Sequence, residues 1–201
     1  MKTGNKKLIL MSDNSITKKP IKDELKKLIG YSLKDKKVLL VFTLRREKDR
    51  TFLNFVIDNL IELGISKKNI INLNISKDIS LDKLEGFDFI YFCGGNTFYI
   101  LDRLKKTGFD KFLKKCINNG KVYVGVSAGA IILTKDISIA SVGEDPDENE
   151  IGLKDLSGLN IIDFDVFPHY QESEEESIKN FEKNSGRKVK RLKDGEILKV
   201  N

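Results

Sequence analysis

Short apolar runs alternate with stretches whose hydrophobic residues recur every three to four positions, and the alternation holds across most of the chain. Apolar runs of four to eight residues bounded by turn formers predict buried strands, and the 3.6-residue spacing predicts amphipathic helices. Strands are predicted at 7–11, 38–44 (VLLVFTL), 69–75, 87–93 (FDFIYFC) and 122–124. A helix is predicted at 21–29 behind Pro20, whose missing N–H costs nothing in a first turn. Another covers 50–63, where Phe52, Leu53, Val56, Ile57, Leu60 and Ile61 form a stripe that stops at Gly64. Two more follow at 98–106, capped by Asn96 or Thr97, and at 109–119, closed by Gly120.

Beyond Leu133 the pattern loosens. Residues 137–142 are β-like, 143–149 (GEDPDEN) form an acidic turn, and an apolar run at 159–166 leads through Phe167-Pro168 to His169. A charged helix is predicted at 172–183, and 189–192 with 196–200 as a hairpin around Asp194-Gly195. Strands alternating with helices imply an α/β fold with a mainly parallel central sheet. Without a repeat, linker or low-complexity tract, residues 1–201 are expected to form one domain, large enough to bury a core.

Composition narrows the function classes. The net charge of +6 comes from lysines scattered singly and in pairs, often beside acids as in Lys22-Asp23-Glu24, with no arginine-rich stripe. That is a solvated surface and not a nucleic-acid face. Cys93 and Cys116 lack the C-x-x-C spacing of a metal or redox site, so reduced thiols are expected. The first apolar run, 8–11, is too short for a signal sequence, and no stretch reaches the ~18 apolar residues of a membrane span. A cytoplasmic protein without a membrane partner is the expectation.

The chemistry gathers in KVYVGVSAGAIIL, residues 121–133. Gly125-Val126-Ser127-Ala128-Gly129 is a G-x-S-x-G between a predicted strand and a possible helix start, the pattern of a nucleophile elbow. Such a turn strains the serine backbone, and the flanking glycines remove Cβ atoms that would clash. The N–H of Ala128 would then face an oxyanion formed on attack at Ser127. Chance alone places this pattern in about one chain in fifteen of this length, so its surroundings must carry it. His169 is the sole histidine, at the end of an apolar run where α/β sheets display catalytic groups. It is the one imidazole able to serve Ser127 as a base near neutral pH. Gly94-Gly95-Asn96 is a second glycine turn after a strand, suited to a backbone N–H cradle for an oxyanion or an anionic group. It matches neither dinucleotide nor P-loop patterns.

Three segments taken together, Gly94-Gly95-Asn96-Thr97-Phe98, Gly125-Val126-Ser127-Ala128-Gly129-Ala130 and Phe167-Pro168-His169-Tyr170, resemble the peptidase E family of serine peptidases. The similarity extends through Gly152-Leu153-Lys154-Asp155-Leu156 and spans most of 38–200. The resemblance implies an α/β three-layer sandwich of the class I glutamine-amidotransferase-like, flavodoxin-like type. It implies a dipeptidase acting on small peptides with N-terminal Asp, with no metal or organic cofactor, as a monomer or homodimer. Ser127 would be the nucleophile and His169 the base, with an oxyanion hole from Ala128 and Gly94 or Gly95. Asp194 falls where the family has an acidic residue near the C-terminus, as Asp where the described enzyme has Glu. Asp147, Asp145 and Glu148 are the competing third members. Arg45, Arg46, Arg103 and Arg187 are available to read a substrate carboxylate. An esterase or amidase with another acyl substrate, or a non-catalytic binder of small anions on the same fold, are the alternatives.

Overall fold

A computed structural model describes residues 6–45 and 47–201. The strands are β1 (Leu8–Met11), β2 (Val38–Phe42), β3 (Ile70–Asn74), β4 (Phe89–Phe92), β5 (Val122–Val126), β6 (Asp165–Phe167), β7 (Val189–Arg191) and β8 (Ile197–Val200). The helices are α1 (Lys19–Ile29), α2 (Glu47–Leu63), α3 (Thr97–Thr107), α4 (Phe109–Asn118), the single turn α5 (Ala128–Ile131) and α6 (Glu175–Ser185).

Six strands build the central sheet in the order β3-β2-β4-β5-β1-β8, parallel except for β8, which runs antiparallel along β1. β1, β2, β4 and β5 are buried along their whole length, as a parallel sheet covered on both faces requires. Alternation sorts their side chains. Leu8, Leu10, Leu39, Val41, Ile90 and Phe92 pack under α3 and α4, while Ile9, Met11, Val38, Leu40, Phe89 and Tyr91 pack under α1 and α2. A third, smaller cluster joins Phe98, Leu101, Ile131, Ile139, Phe167, Ile178 and Val189. It carries a separate two-stranded parallel sheet, β6 with β7.

Local chemistry explains the element ends. Asn96 caps α3 by accepting from the Tyr99 N–H at 2.9 Å. Gly108, in the left-handed region at φ 71°, ends α3 and lets α4 start at once.

Three expectations change. Residues 137–142 are not a strand: Ile137–Ser141 form a 3-10 turn, because the Asp136 carboxylate captures the Ser138 N–H at 2.8 Å and starts a helical turn. The hairpin at 189–200 does not form. β7 pairs with β6 and β8 pairs with β1, and the 192–196 segment crosses between the two sheets. On α2, Val56 and Leu60 are buried as expected, whereas Phe52 and Ile61 are exposed.

Candidate active site

In a parallel sheet the carboxyl ends of the strands share one edge, where ligands bind. Here β5 lies between β4 and β1, so the residues following those three strands, Ser127, Gly94 and Ser12, come together there. The chain turns sharply at Ser127, whose backbone sits at φ 49°, ψ −115°, a region costly for any residue with a Cβ. Its N–H is held by the Met11 carbonyl at 2.9 Å. The glycines on either side are dictated by contact. A Cβ on Gly125 would meet the Gly129 carbonyl oxygen at 2.5 Å, and one on Gly129 would meet the Phe92 carbonyl oxygen at 2.7 Å. The buried Tyr123 hydroxyl donates to that Gly129 carbonyl at 2.6 Å and fixes the turn from below.

His169 also has a positive φ, 58°. Its Nε2 lies 3.1 Å from Ser127 Oγ, and its Nδ1 lies 2.7 Å from Asp194 Oδ1. An ionised Asp194 accepts the Nδ1 proton and thereby leaves Nε2 free to accept from the serine hydroxyl. Asp194 is held below the usual carboxylate range: partial burial pushes it up, but hydrogen bonds from Ser12 and His169 and the charge of Lys18 more than offset that. The Asp194 and His169 side chains are 54% and 52% exposed, so water reaches this pair.

The other proposed acids do not bond the imidazole. Asp147 accepts from the Thr97 N–H at 2.8 Å and from the Thr97 hydroxyl, at the start of α3. Asp145 lines a cavity that includes Ser127 and His169 without bonding the imidazole, and Glu148 lines a neighbouring one beside Arg45. Of the glycine turn, Gly94 packs against Ser127, where an added Cβ would lie 3.2 Å from the serine Cβ. Gly95 sits at φ 142°. Among the described residues, no acceptor engages the N–H of Gly94, Gly95 or Ala128.

A cleft of about 550 Å³ opens over Ser127 and His169, lined further by Ser12, Lys18, Gly94 and Gly95 and walled by the exposed Phe52 and Phe55 of α2. Its floor is ordered by Asn14, whose side chain accepts from the Tyr91 hydroxyl at 2.8 Å. A second cavity of about 310 Å³ reaches the same pair from the side of Ile139, Glu144 and Glu174. The arginines lie outside the cleft. Arg45 pairs with Glu150 at 2.6 Å and stacks on Tyr99. Arg103 donates to the Ile75 carbonyl at 2.9 Å. Arg187 pairs with buried Asp165 at 3.1 Å. Arg46 lies outside the described residues. Among the described residues Lys18 is the cation that lines the cleft, and no motif of the sequence marks it. Nor does one mark Ser12, a buried polar residue directly after an all-apolar strand.

Among the described residues no three His, Cys, Asp or Glu side chains converge as metal ligands, and no helix is long and apolar enough to cross a membrane.

A family profile described as Peptidase family S51 matches residues 8–201. An uncharacterized peptidase of Listeria monocytogenes serovar 1/2a is 43% identical over 88 residues, 44% of this chain and 42% of the relative. Peptidase E of Streptomyces coelicolor is 27% identical over 130 residues, 60% of this chain and 51% of the relative. The chain thus spans only about half, or less, of these curated relatives' length. Over the whole fold, the crystal structure of a candidate peptidase E protein from Listeria monocytogenes EGD-e superposes with a TM-score of 0.77 at 27% identity, covering 97% of this chain and 94% of that one.

Proposed function

The chain belongs to peptidase family S51, and on that premise we propose that it is a serine dipeptidase releasing N-terminal Asp from small peptides in the cytoplasm, with Ser127 as nucleophile, His169 as base and Asp194 as the carboxylate behind it. The observation that carries the reading is the single imidazole set between Ser127 Oγ at 3.1 Å and Asp194 Oδ1 at 2.7 Å.

His169 Nε2 takes the Ser127 proton as Oγ bonds to the scissile carbonyl carbon. Negative charge moves to the carbonyl oxygen, where the N–H groups of Ala128 and of Gly94 or Gly95 receive it. Each such donor contributes about 3–4 kcal/mol in the transition state. His169 then gives the proton to the leaving amine as the C–N bond breaks. Water, deprotonated by the same nitrogen, releases the aspartate and restores Ser127. Asp194 stays ionised and steadies the imidazolium. All of these steps use side chains and backbone of this chain, and the reading invokes no cofactor, nucleic acid or membrane, in a monomer or homodimer.

The Asp preference rests on the family resemblance, and Lys18 in the cleft supports it by supplying a positive charge for a carboxylate. The test is hydrolysis of an Asp-X panel, with Glu-X, Asn-X and Ala-X controls, by the protein and by Ser127→Ala. Turnover confined to Asp-X and absent in the variant is the expected result. Turnover of the controls alone would discard the Asp preference, and activity surviving in Ser127→Ala would discard the nucleophile.

A further inference from the structure

The base and the acid reach the site from a different sheet than the nucleophile. Ser127 ends β5 of the central sheet, whereas His169 follows β6 and Asp194 follows β7 of the small one. The β6–β7 ladder continues past the strands, with the Leu192 N–H donating to the Phe167 carbonyl at 2.9 Å and the Tyr170 N–H to the Leu192 carbonyl at 3.2 Å. His169 and Asp194 are therefore both carried by that ladder. Nothing in that ladder sets their distance from Ser127.

Ser12 bridges the gap. It is fully buried and directly follows β1, the neighbour of β5 in the central sheet. Its hydroxyl donates to Asp194 Oδ1 at 2.7 Å and accepts the His169 backbone N–H at 2.7 Å. One oxygen thus holds both members of the pair, and it does so beside the strand whose Met11 carbonyl holds the Ser127 N–H. We infer that Ser12 is a positioning residue, whose hydroxyl docks the His169–Asp194 unit onto the central sheet at the distance Ser127 needs.

The inference builds on the serine-peptidase reading, so its test has one arm that needs no turnover. His169 is the sole histidine, and its ring signals in NMR are therefore uniquely assigned. Three variants are compared with the parent protein: Ser12→Ala; Ser12→Cys, which keeps the volume but is a weak donor; and Ser12→Thr, which keeps the hydroxyl.

The His169 ring shifts and their pH titration should move in the Ala and Cys variants and return towards the parent in Thr. On a hydrolysed peptide, kcat should fall about tenfold in Ala and Cys with KM within about twofold. The pH profile of kcat should change in the same two variants and return towards the parent in Thr. A packing role alone would lower the melting temperature and leave the titration and the pH profile in place. Folded Ala or Cys variants with an unchanged His169 titration and unchanged kcat overturn the inference. If the parent hydrolyses no peptide, the functional reading fails, and the NMR arm still decides for or against Ser12.

Discussion

Replacing Asp194 should separate its charge from its mere presence. Oδ1 receives both the Ser12 hydroxyl and His169 Nδ1, each at 2.7 Å. In Asp194→Asn the amide oxygen can stay where two donors converge, so the imidazole keeps its tautomer and only the charge is lost. The difference between a charged and a neutral hydrogen bond is about 1–2 kcal/mol, or roughly 5–30-fold in kcat. Asp194→Ala leaves both donors without an acceptor, and should cost about 3–4 kcal/mol, or roughly 10²–10³-fold. Both values stay below the ~10⁴-fold seen when a buried triad carboxylate is neutralised. Here the pair is about half exposed, and water can replace part of what is removed. The assay is kcat and kcat/KM for amine release from an Asp-X dipeptide, with a melting curve for each variant. Asp147→Ala is the control: it should lower stability by about 1–2 kcal/mol through the lost cap on α3, and leave kcat nearly intact. The reasoning fails if Asn is as damaging as Ala, or if either Asp194 variant keeps more than half of the parent kcat. It fails equally if Asp147→Ala abolishes turnover at an unchanged melting temperature.

Three further outcomes are expected. Ser127→Gly should abolish turnover yet stabilise the fold, since glycine tolerates φ 49°; relief of about 1 kcal/mol would raise Tm by roughly 2–4 °C, and a calorimetric scan showing a fall would contradict it. Lys18→Ala should raise KM for Asp-X several-fold and leave KM for Ala-X unaffected, with any change in kcat from the lost charge beside Asp194 shared by both substrates; equal effects on both KM values would deny it a role in carboxylate recognition. Asp165, raised to about 6 chiefly by burial against the pull of Arg187, should make stability depend on pH. Its folded carboxyl binds a proton more tightly than the unfolded one, so its stabilisation is complete below about pH 4 and is lost as pH rises through 6, about 3 kcal/mol in all. Urea titrations between pH 4 and 7.5 should show this fall in the parent relative to Asp165→Asn, and parallel curves would refute it.

Much of the sheet was legible because doubly covered strands are continuous apolar runs: VLLVF and FIYF could be little else. Ser127 was legible because two glycines were needed where Gly129 and Phe92 backbone atoms crowd in. His169 and the Gly94-Gly95 turn stood out by following strands. The partner of a short strand is another matter. Val189–Arg191 and Ile197–Val200 look like a hairpin around Asp-Gly, and only the competition from β6 and from the bare edge of β1 sends them apart. Residues 137–141 alternate as a strand does, but one upstream carboxylate redirects the backbone. Phe52 satisfies a helical stripe and yet faces the cleft, since periodicity reports a face and not what covers it. Ser12 left one faint signal, a hydroxyl residue just past a buried parallel strand, the same place in the fold as Gly94 and Ser127.

The crossing at 192–196 works as a gauge of strand register. It starts from the β7 ladder, where the Leu192 N–H is bonded to Phe167, and ends where Ile197 pairs with Met11. Asp194 hangs midway, so its carboxylate meets the imidazole only when both ladders are in step. Were β8 to slip by one residue along β1, each of its side chains would change face, and the carboxylate would be drawn about 3.4 Å off station. Both sheets could remain intact while the acid lost its histidine. An edge strand far from any bond being broken thus acts as a spacer for the chemistry, and an insertion on the β8 side of Asp194, between 194 and 197, would draw acid from base without touching either.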